Sequence, residues 1–368
     1  MKRSYVHSGS GLVMVLAATV VLSCARPAEE RAERDRSVGQ ARVEKLAVHV
    51  KDGLAAVRAL DASRVVLWGS APSYELELTS DDAASVTIEL RNCLSDAELV
   101  ALEPLDLTLT EQPSTLPTRR TFVVDLPPGA SRLRVAAPDA GDTGPFRFAL
   151  LSDVQEAIDR VSDIFERLNL EPDVRFLLGA GDLTERGSVE ELERYQRELE
   201  ALDVPYFTTL GNHELGASPS RYHDYFGRGN FQFGFRGVTF TLLDSASATL
   251  DPIVYEWLDG WLRTADRMHV VSMHIPPLDP IGVRNGAFAS RPEAAKLLAK
   301  LAQGGVDLTV YGHIHSYYSF ENAGIPAYIS GGGGAIPERF DNVGRHFLVF
   351  DIDPEHGVEN EYRVEIDD

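Results

Sequence analysis

Tyr206-Phe207-Thr208-Thr209-Leu210-Gly211-Asn212-His213-Glu214 joins an aromatic, β-branched and apolar run to an abrupt cluster of amide, imidazole and carboxylate. The first five residues predict a buried strand. Gly211 ends it, and the polar residues then fall at the strand's C-terminal edge. In open α/β sheets ligands bind at that edge. Taken alone the stretch also fits an ordinary polar loop, so its meaning depends on how the neighbouring strands end.

From residue 146 onward strand and helix patterns alternate. Strands are expected at Phe146–Leu151, Val174–Leu178, Val204–Leu210, Val238–Leu243, His269–Met273, Leu308–Tyr311, Ala327–Ser330 and Phe347–Phe350. Amphipathic helices are expected at Ala157–Leu168, Ser188–Leu202, Val254–Asp266 and Arg291–Gln303. These strands are too many for one simple layer, so an α/β domain over 146–366 with a doubled sheet is predicted. Four other strands run into polar ends: Ser152-Asp153-Val154-Gln155, Gly179-Ala180-Gly181-Asp182, His274 before Ile275-Pro276-Pro277, and Gly312-His313-Ile314-His315. Two carboxylates, an asparagine and three imidazoles at one edge form a ligand set for two hard-to-borderline metal ions. If His313-Ile314-His315 stays extended, both rings face one side and can serve adjacent ions.

These blocks, in this order and spacing, resemble the calcineurin-like metallophosphoesterase superfamily: Asp-x-His, Gly-Asp, Gly-Asn-His-Asp/Glu, a lone His, then Gly-His-x-His. The resemblance covers roughly Phe146 to Phe350 and implies a four-layer αββα sandwich. It implies two divalent or mixed-valence ions, iron, manganese or zinc, with Asp182 bridging them. Asp153 and His315 would bind one ion; Asn212, His274 and His313 would bind the other. A hydroxide held between the ions would attack a phosphomonoester or phosphodiester, because the paired charges neutralise the ester and acidify water. His213 would be catalytic, as proton donor or phosphate contact, oriented by Glu214. Where the family commonly has the first histidine this chain has Gln155, a neutral carbonyl donor expected as a ligand or near-ligand. The chain also resembles purple acid phosphatases in its preceding β-rich domain and in Glu214. Their metal-binding tyrosine, three residues after the bridging Asp, is Glu185 here, so no tyrosinate colour is expected.

The 368 residues, 44% hydrophobic and 25% charged, suffice for two folded domains. A formal charge of -21 argues against a nucleic-acid-binding surface, which needs a basic footprint. With Cys24 and Cys93 as the two cysteines, neither a disulfide framework nor a Cys-rich zinc site is expected. Lys2 and Arg3 precede an apolar run from Gly11 to Leu22, which predicts an export signal over 1–23. The Ser23-Cys24 junction resembles a bacterial lipobox, implying an acylated Cys24 on a membrane, with plain secretion as the alternative. Residues 24–41 are charged and almost free of large apolar side chains, so a solvated tether is expected.

Residues 42–140 show short alternating runs at Leu46–Val50, Arg64–Trp68, Tyr74–Leu78, Ser85–Leu90, Thr121–Leu126 and Ser131–Val135. They predict a β-sandwich of immunoglobulin- or fibronectin-like size. Cys93 reads as a small buried hydrophobe. Arg186 could contact a substrate phosphate or form a surface ion pair, and Tyr222 and His223 could line the pocket or pack. His49, His269 and His346 read as structural, and Ser330–Gly334 as close backbone packing at the site rim. The competing reading is a catalytically degenerate, surface-anchored binding protein in which Gln155 has lost the first metal. The sequence specifies no oligomeric state.

Overall fold

The computed structural model describes residues 28–216, 221–282 and 286–366; the export signal and the acylation of Cys24 lie outside the described residues. Residues 40–136 hold β1 (Gln40–Val43), β2 (Leu46–Val50), β3 (Ala55–Leu60), β4 (Arg64–Gly69), β5 (Ser73–Ser80), β6 (Ala84–Arg91), β7 (Glu98–Glu103), β8 (Thr108–Gln112), β9 (Arg119–Leu126) and β10 (Gly129–Ala136). They pair into two sheets, β1-β2-β5-β10-β7 and β3-β4-β6-β9-β8. Period-two alternation sends Leu76 and Leu78 of one sheet and Ile88 and Val124 of the other into a common apolar cluster.

The second region contains β11 (Phe146–Leu151), β12 (Val174–Ala180), β13 (Tyr206–Thr209), β14 (Phe231–Phe235), β15 (Val238–Leu243), β16 (Met268–Met273), β17 (Leu308–Tyr311), β18 (Tyr317–Asn322), β19 (Ile325–Ser330), β20 (His346–Asp353) and β21 (Gly357–Glu365). Its sheets are ordered β13-β12-β11-β20-β21 and β14-β15-β16-β17-β19-β18. The helices are α1 (28–35), α2 (Ser162–Asn169), α3 (Val189–Glu198), α4 (Arg221–Tyr225), α5 (Pro252–Arg263) and α6 (Arg291–Gln303).

Two mixed sheets face each other across a phenylalanine-rich core. Phe148 and Phe176 meet Phe240 edge-to-face at 5.4 and 5.3 Å, the geometry aromatic quadrupoles favour. The opposite faces are also apolar. Leu151 and Leu177 pack under Phe165 of α2 and Leu192 of α3, while Val271 and Met273 pack under Leu258 of α5 and Leu297 of α6. Strands covered on both faces read as continuous apolar runs, as these do.

Three expectations need correction. The helix expected at Ala157–Leu168 is split into a 3-10 turn, Gln155–Arg160, and α2. The strands β1, β3, β7, β8, β14, β18 and β21 lie where none was expected, and each is the edge of its sheet.

The described part of the 24–41 segment is also no solvated tether. Arg31, 1% exposed, donates to the Asp244 carboxylate from Nε at 2.5 Å and Nη2 at 3.0 Å. Asp35, fully buried, accepts from the His223 ring (3.1 Å), the Gly229 amide (2.7 Å), and the Asn230 amide and side chain (3.1 and 2.8 Å). Charged residues enter an interior when such partners satisfy them.

The two regions are joined by Asn92. Its side chain donates to the carbonyls of Gly69 (2.7 Å) and Tyr206 (2.8 Å) and accepts from the Tyr206 amide (2.7 Å). Tyr206 belongs to edge strand β13, so one amide side chain satisfies the backbone groups that the sheet leaves open there.

Candidate metal centre

Strands β11, β12 and β13 are mutually parallel, as are β15, β16 and β17, so their C-terminal ends gather on one rim. Asp153 and Gln155 follow β11, Asp182 follows β12, and Asn212, His213 and Glu214 follow β13. His274 follows β16, and His313 and His315 follow β17. The backbone turns sharply there: Asp153, Gln155, Asp182 and His313 have φ of 62, 49, 52 and 69°. Left-handed non-glycine residues are strained and cluster at functional sites. His313-Ile314-His315 is therefore not extended as expected, although both rings still reach the centre.

The side chains converge. His274 Nε2 lies 3.2 Å from Asp182 Oδ2 and 3.0 Å from Asn212 Oδ1. Ligand atoms of Asp182, His274 and His313 all lie within 4.8 Å of one another. On the other side His315 Nε2 is 3.5 Å from Asp153 Oδ1. Gln155 sits between the two groups, its Nε2 2.8 Å from Asp182 Oδ2 and 3.1 Å from His315 Nε2. Asp153, Asp182 and His274 are fully buried.

The tautomers show what this arrangement fits. His274 Nδ1 donates to the Ala180 carbonyl at 2.8 Å, and His315 Nδ1 to the Ile336 carbonyl at 2.7 Å. His274 thus turns its Nε2 lone pair toward two oxygen acceptors, on Asp182 and Asn212, which is repulsive unless a cation lies between them, while His315 Nε2 meets the Gln155 amide nitrogen and, farther off, Asp153. Outer carbonyls that fix the ring in this way are what metal-binding imidazoles require. Without a metal, a proton takes that place. Burial lowers the His274 imidazole, but Asp182 and Asp153 outweigh it and raise it to about 9. Burial likewise pushes both carboxyls up, yet the neighbouring imidazoles hold Asp153 and Asp182 below their ordinary range. Mixed carboxylate, amide and imidazole donors fit divalent iron, manganese or zinc.

His213 is placed differently. Its Nδ1 donates to the Glu185 carbonyl at 2.8 Å, and its Nε2 stands 3.9 Å from Asp182 Oδ2. Glu214 does not orient it, contrary to expectation. That carboxylate is buried and accepts from the amides of Asp182 (3.1 Å), Thr184 (2.9 Å) and Gly211 (2.8 Å) and from Thr184 Oγ1 (2.8 Å). It straps the loops after β12 and β13 together. Burial and the nearby Asp182 raise it to about 7.

Sequence reasoning missed Thr184, and also Ser152, whose hydroxyl bonds Asp153 and donates to the Ser330 carbonyl at 2.9 Å. Ser152 directly precedes the first aspartate, and that adjacency was the available signal. Gly211 is required by approach: a Cβ there would lie 2.1 Å from Asp182 Oδ1. Gly331 to Gly334 do pack closely, against Ile314, His346, Ser152 and Ala157.

The softer candidates stand apart from the centre. Tyr222 is buried and donates to the Thr208 carbonyl at 2.8 Å, and His223 is held by Asp35. His269 and His346 are buried. Arg186 is exposed, with no side-chain ion pair among the described residues. A cavity of about 720 Å³ opens over the centre, lined by Gln155, His213 and His315, by Glu156, Glu185 and Glu338, and by the 336–340 loop.

The family model described as calcineurin-like phosphoesterase matches residues 146–317. A 3',5'-cyclic-nucleotide phosphodiesterase from Nostoc sp. is 25% identical over 167 residues, 42% of this chain and 61% of that protein. A Synechococcus sp. protein named "Probable cyclic nucleotide phosphodiesterase" is 27% identical over 231 residues, 55% of this chain and 85% of its own length. The chain thus spans about three fifths of the first relative and most of the second. The purple acid phosphatase from yellow lupin (Lupinus luteus) seeds superposes with a TM-score of 0.50 at 14% identity, covering 79% of this chain and 72% of that one, a likeness of fold. This chain is therefore similar to calcineurin-like phosphoesterases over residues 146–317, the segment that carries every side chain of the centre.

Proposed function

We propose that this protein is a metal-dependent phosphoesterase that holds two divalent cations and hydrolyses phosphodiesters in preference to monoesters. The observation that carries the reading is the pair of buried imidazoles, His274 and His315, pinned by backbone carbonyls so that Nε2 faces buried carboxylates. Asp182, whose Oδ2 meets Gln155 on one side and His274 on the other, is the carboxylate that would serve both ions. Asp153 and His315 would hold one ion, with the Gln155 amide, whose nitrogen faces Asp182 and His315, rotating to offer its oxygen, and Asn212, His274 and His313 would hold the other. The bound cations supply the positive charge that neutralises the ester and acidifies the attacking water.

The protein's own groups do the rest. His213, locked by the Glu185 carbonyl, presents Nε2 to the leaving oxygen and delivers its proton. Glu214 keeps Asp182 and the Asn212 loop in register. Glu156, Glu185 and Glu338 outnumber the one arginine, Arg339, around the opening, and this acidic excess disfavours a dianionic monoester more than a singly charged diester. The names of the curated relatives agree with that preference. Residues 40–136 fit a β-sandwich that supports β13, and the leader fits export to the bacterial envelope with Cys24 acylated, or secretion.

The test is metal analysis joined to a substrate panel. About two divalent ions per chain, turnover of diesters above monoesters, and loss of both metal and turnover in Asp182→Asn support the reading. A chain that takes up no divalent metal and hydrolyses neither ester sinks it.

A further inference from the structure

The loop between β19 and β20 is pinned through its backbone and exposed at its side chains. The amides of Gly333 and Ala335 donate to the carbonyls of Ser152 and Asp153 at 2.8 and 2.9 Å. The Glu338 amide donates to the His315 carbonyl at 3.1 Å, and the Ile336 carbonyl accepts from His315 Nδ1 at 2.7 Å. Farther along, Asp341 accepts from Ser316 Oγ at 2.6 Å and from the Tyr318 hydroxyl at 2.8 Å. The main chain is thus fixed to the two segments that carry Asp153 and His315. Yet Ile336 and Phe340 are 70% and 48% exposed, and both line the cavity over the centre. Large apolar side chains held in the open on so constrained a backbone form a preorganised contact surface.

The reacting centre determines what they contact. A cavity of about 720 Å³ is much larger than a phosphate group, so it takes an ester arm as well. The lining decides the chemistry of that arm. Ile336 and Phe340 offer an apolar wall, and around it stand the carboxylates of Glu156, Glu185 and Glu338 against the guanidinium of Arg339. Glu156 is exposed, with no hydrogen bond or ion pair among the described residues, and Glu185 Oε2 lies 3.6 Å from His213 Nδ1. An apolar wall alone suits a neutral hydrocarbon, and an acidic rim alone suits a small hydrated ammonium. An alkylated cation satisfies both: its methyl groups pack on Ile336 and the Phe340 ring while its charge faces the carboxylates. Arg339 opposes that charge and is outnumbered.

We propose that Ile336, Phe340, Glu156 and Glu338 form a subsite for a quaternary ammonium group, so that the substrates are phosphodiesters of an alkylated amino alcohol. This rests on the phosphoesterase reading above.

The test compares two diesters in the metal-loaded full-length protein: 4-nitrophenylphosphorylcholine and 4-nitrophenyl 3,3-dimethylbutyl phosphate. They share a leaving group and a shape, and differ in the nitrogen or carbon at the centre of the methyl cluster. The expected kcat/KM favours the choline ester roughly tenfold at low salt, and the preference shrinks as salt is added. Glu156→Gln and Glu338→Gln each reduce it roughly threefold, and Arg339→Gln increases it. Asp106→Asn, an exposed carboxylate between β7 and β8, leaves the ratio as it was. Equal rates on the two esters, a preference for the neutral one, or a preference that neither glutamate variant moves overturns the subsite.

Calorimetric binding of methyl phosphocholine and of methyl 3,3-dimethylbutyl phosphate separates this proposal from the reading it rests on. Tighter binding of the choline diester, weakened in Glu156→Gln and in Phe340→Ser, with neither nitrophenyl ester hydrolysed, keeps the subsite and removes the phosphoesterase reading. Hydrolysis of both nitrophenyl esters with no difference in binding removes the subsite and keeps the phosphoesterase.

Discussion

His213 spends one ring nitrogen on the Glu185 carbonyl, so in the proposed hydrolysis Nε2 is the atom that meets the departing oxygen. His213→Ala keeps its metal and loses roughly 10²–10⁴ in rate on esters with poor leaving groups, and far less on nitrophenyl esters. A leaving-group series measures this, and equal losses along the series count against the acid role. Glu214 is a different kind of residue. Glu214→Ala strands three buried amides and a hydroxyl, so thermal unfolding should show a loss of at least ~3 kcal/mol together with weaker metal retention. Position in the motif suggested a catalytic neighbour for His213, and position alone could not show that its carboxylate turns back into the loop.

His269 supplies a pH dependence separate from the candidate metal centre. Burial lowers its imidazole from 6.5 to about 4, with Thr241 on one ring nitrogen and, among the described residues, no partner on the other. Between those values the unfolded chain holds a proton that the folded chain excludes. The stabilisation is therefore complete above about pH 6.5 and is lost as pH falls toward 4, by roughly 3 kcal/mol. His269→Gln should flatten that part of the pH–stability curve measured by denaturant titration.

Among the elements, the line between legible and illegible runs along the sheet borders. Interior strands such as β11, β12 and β15 carry Phe148, Phe176 and Phe240 between layers and announce themselves as apolar runs. The seven unforeseen strands all sit at edges, where one neighbour is missing and polar residues such as those of Thr108–Gln112 weaken the pattern. β13 is the edge strand that was legible, because all four of its residues are buried. α1 failed for another reason. Its charges look solvated in sequence, but Arg31 and Asp35 are matched by Asp244 and by His223 and Asn230, some two hundred residues away. Arg31→Ala leaves Asp244 buried without its cation and should lower stability by ~3–5 kcal/mol. Amide exchange would show protection lost first along 28–38.

At the scale of the whole molecule, the clustering of the candidate ligands was legible because they directly follow strands whose ends share one rim. What holds that rim in place was not legible, since Asn92 and Tyr206 meet only after folding. Asn92→Ala should destabilise the protein by ~1–3 kcal/mol and weaken metal retention, although the residue touches no ligand. One apolar cluster runs from Leu46 in the first pair of sheets to Ile352 in the second. Scanning calorimetry should accordingly record one cooperative transition rather than separate melting of residues 40–136. The Asn92 clasp also bears on self-association. A bare strand border templates the addition of further chains; here the β13 border beside the candidate metal centre is already engaged at Tyr206 by the protein's own amide, so crowded copies are hindered from extending the sheet from that side.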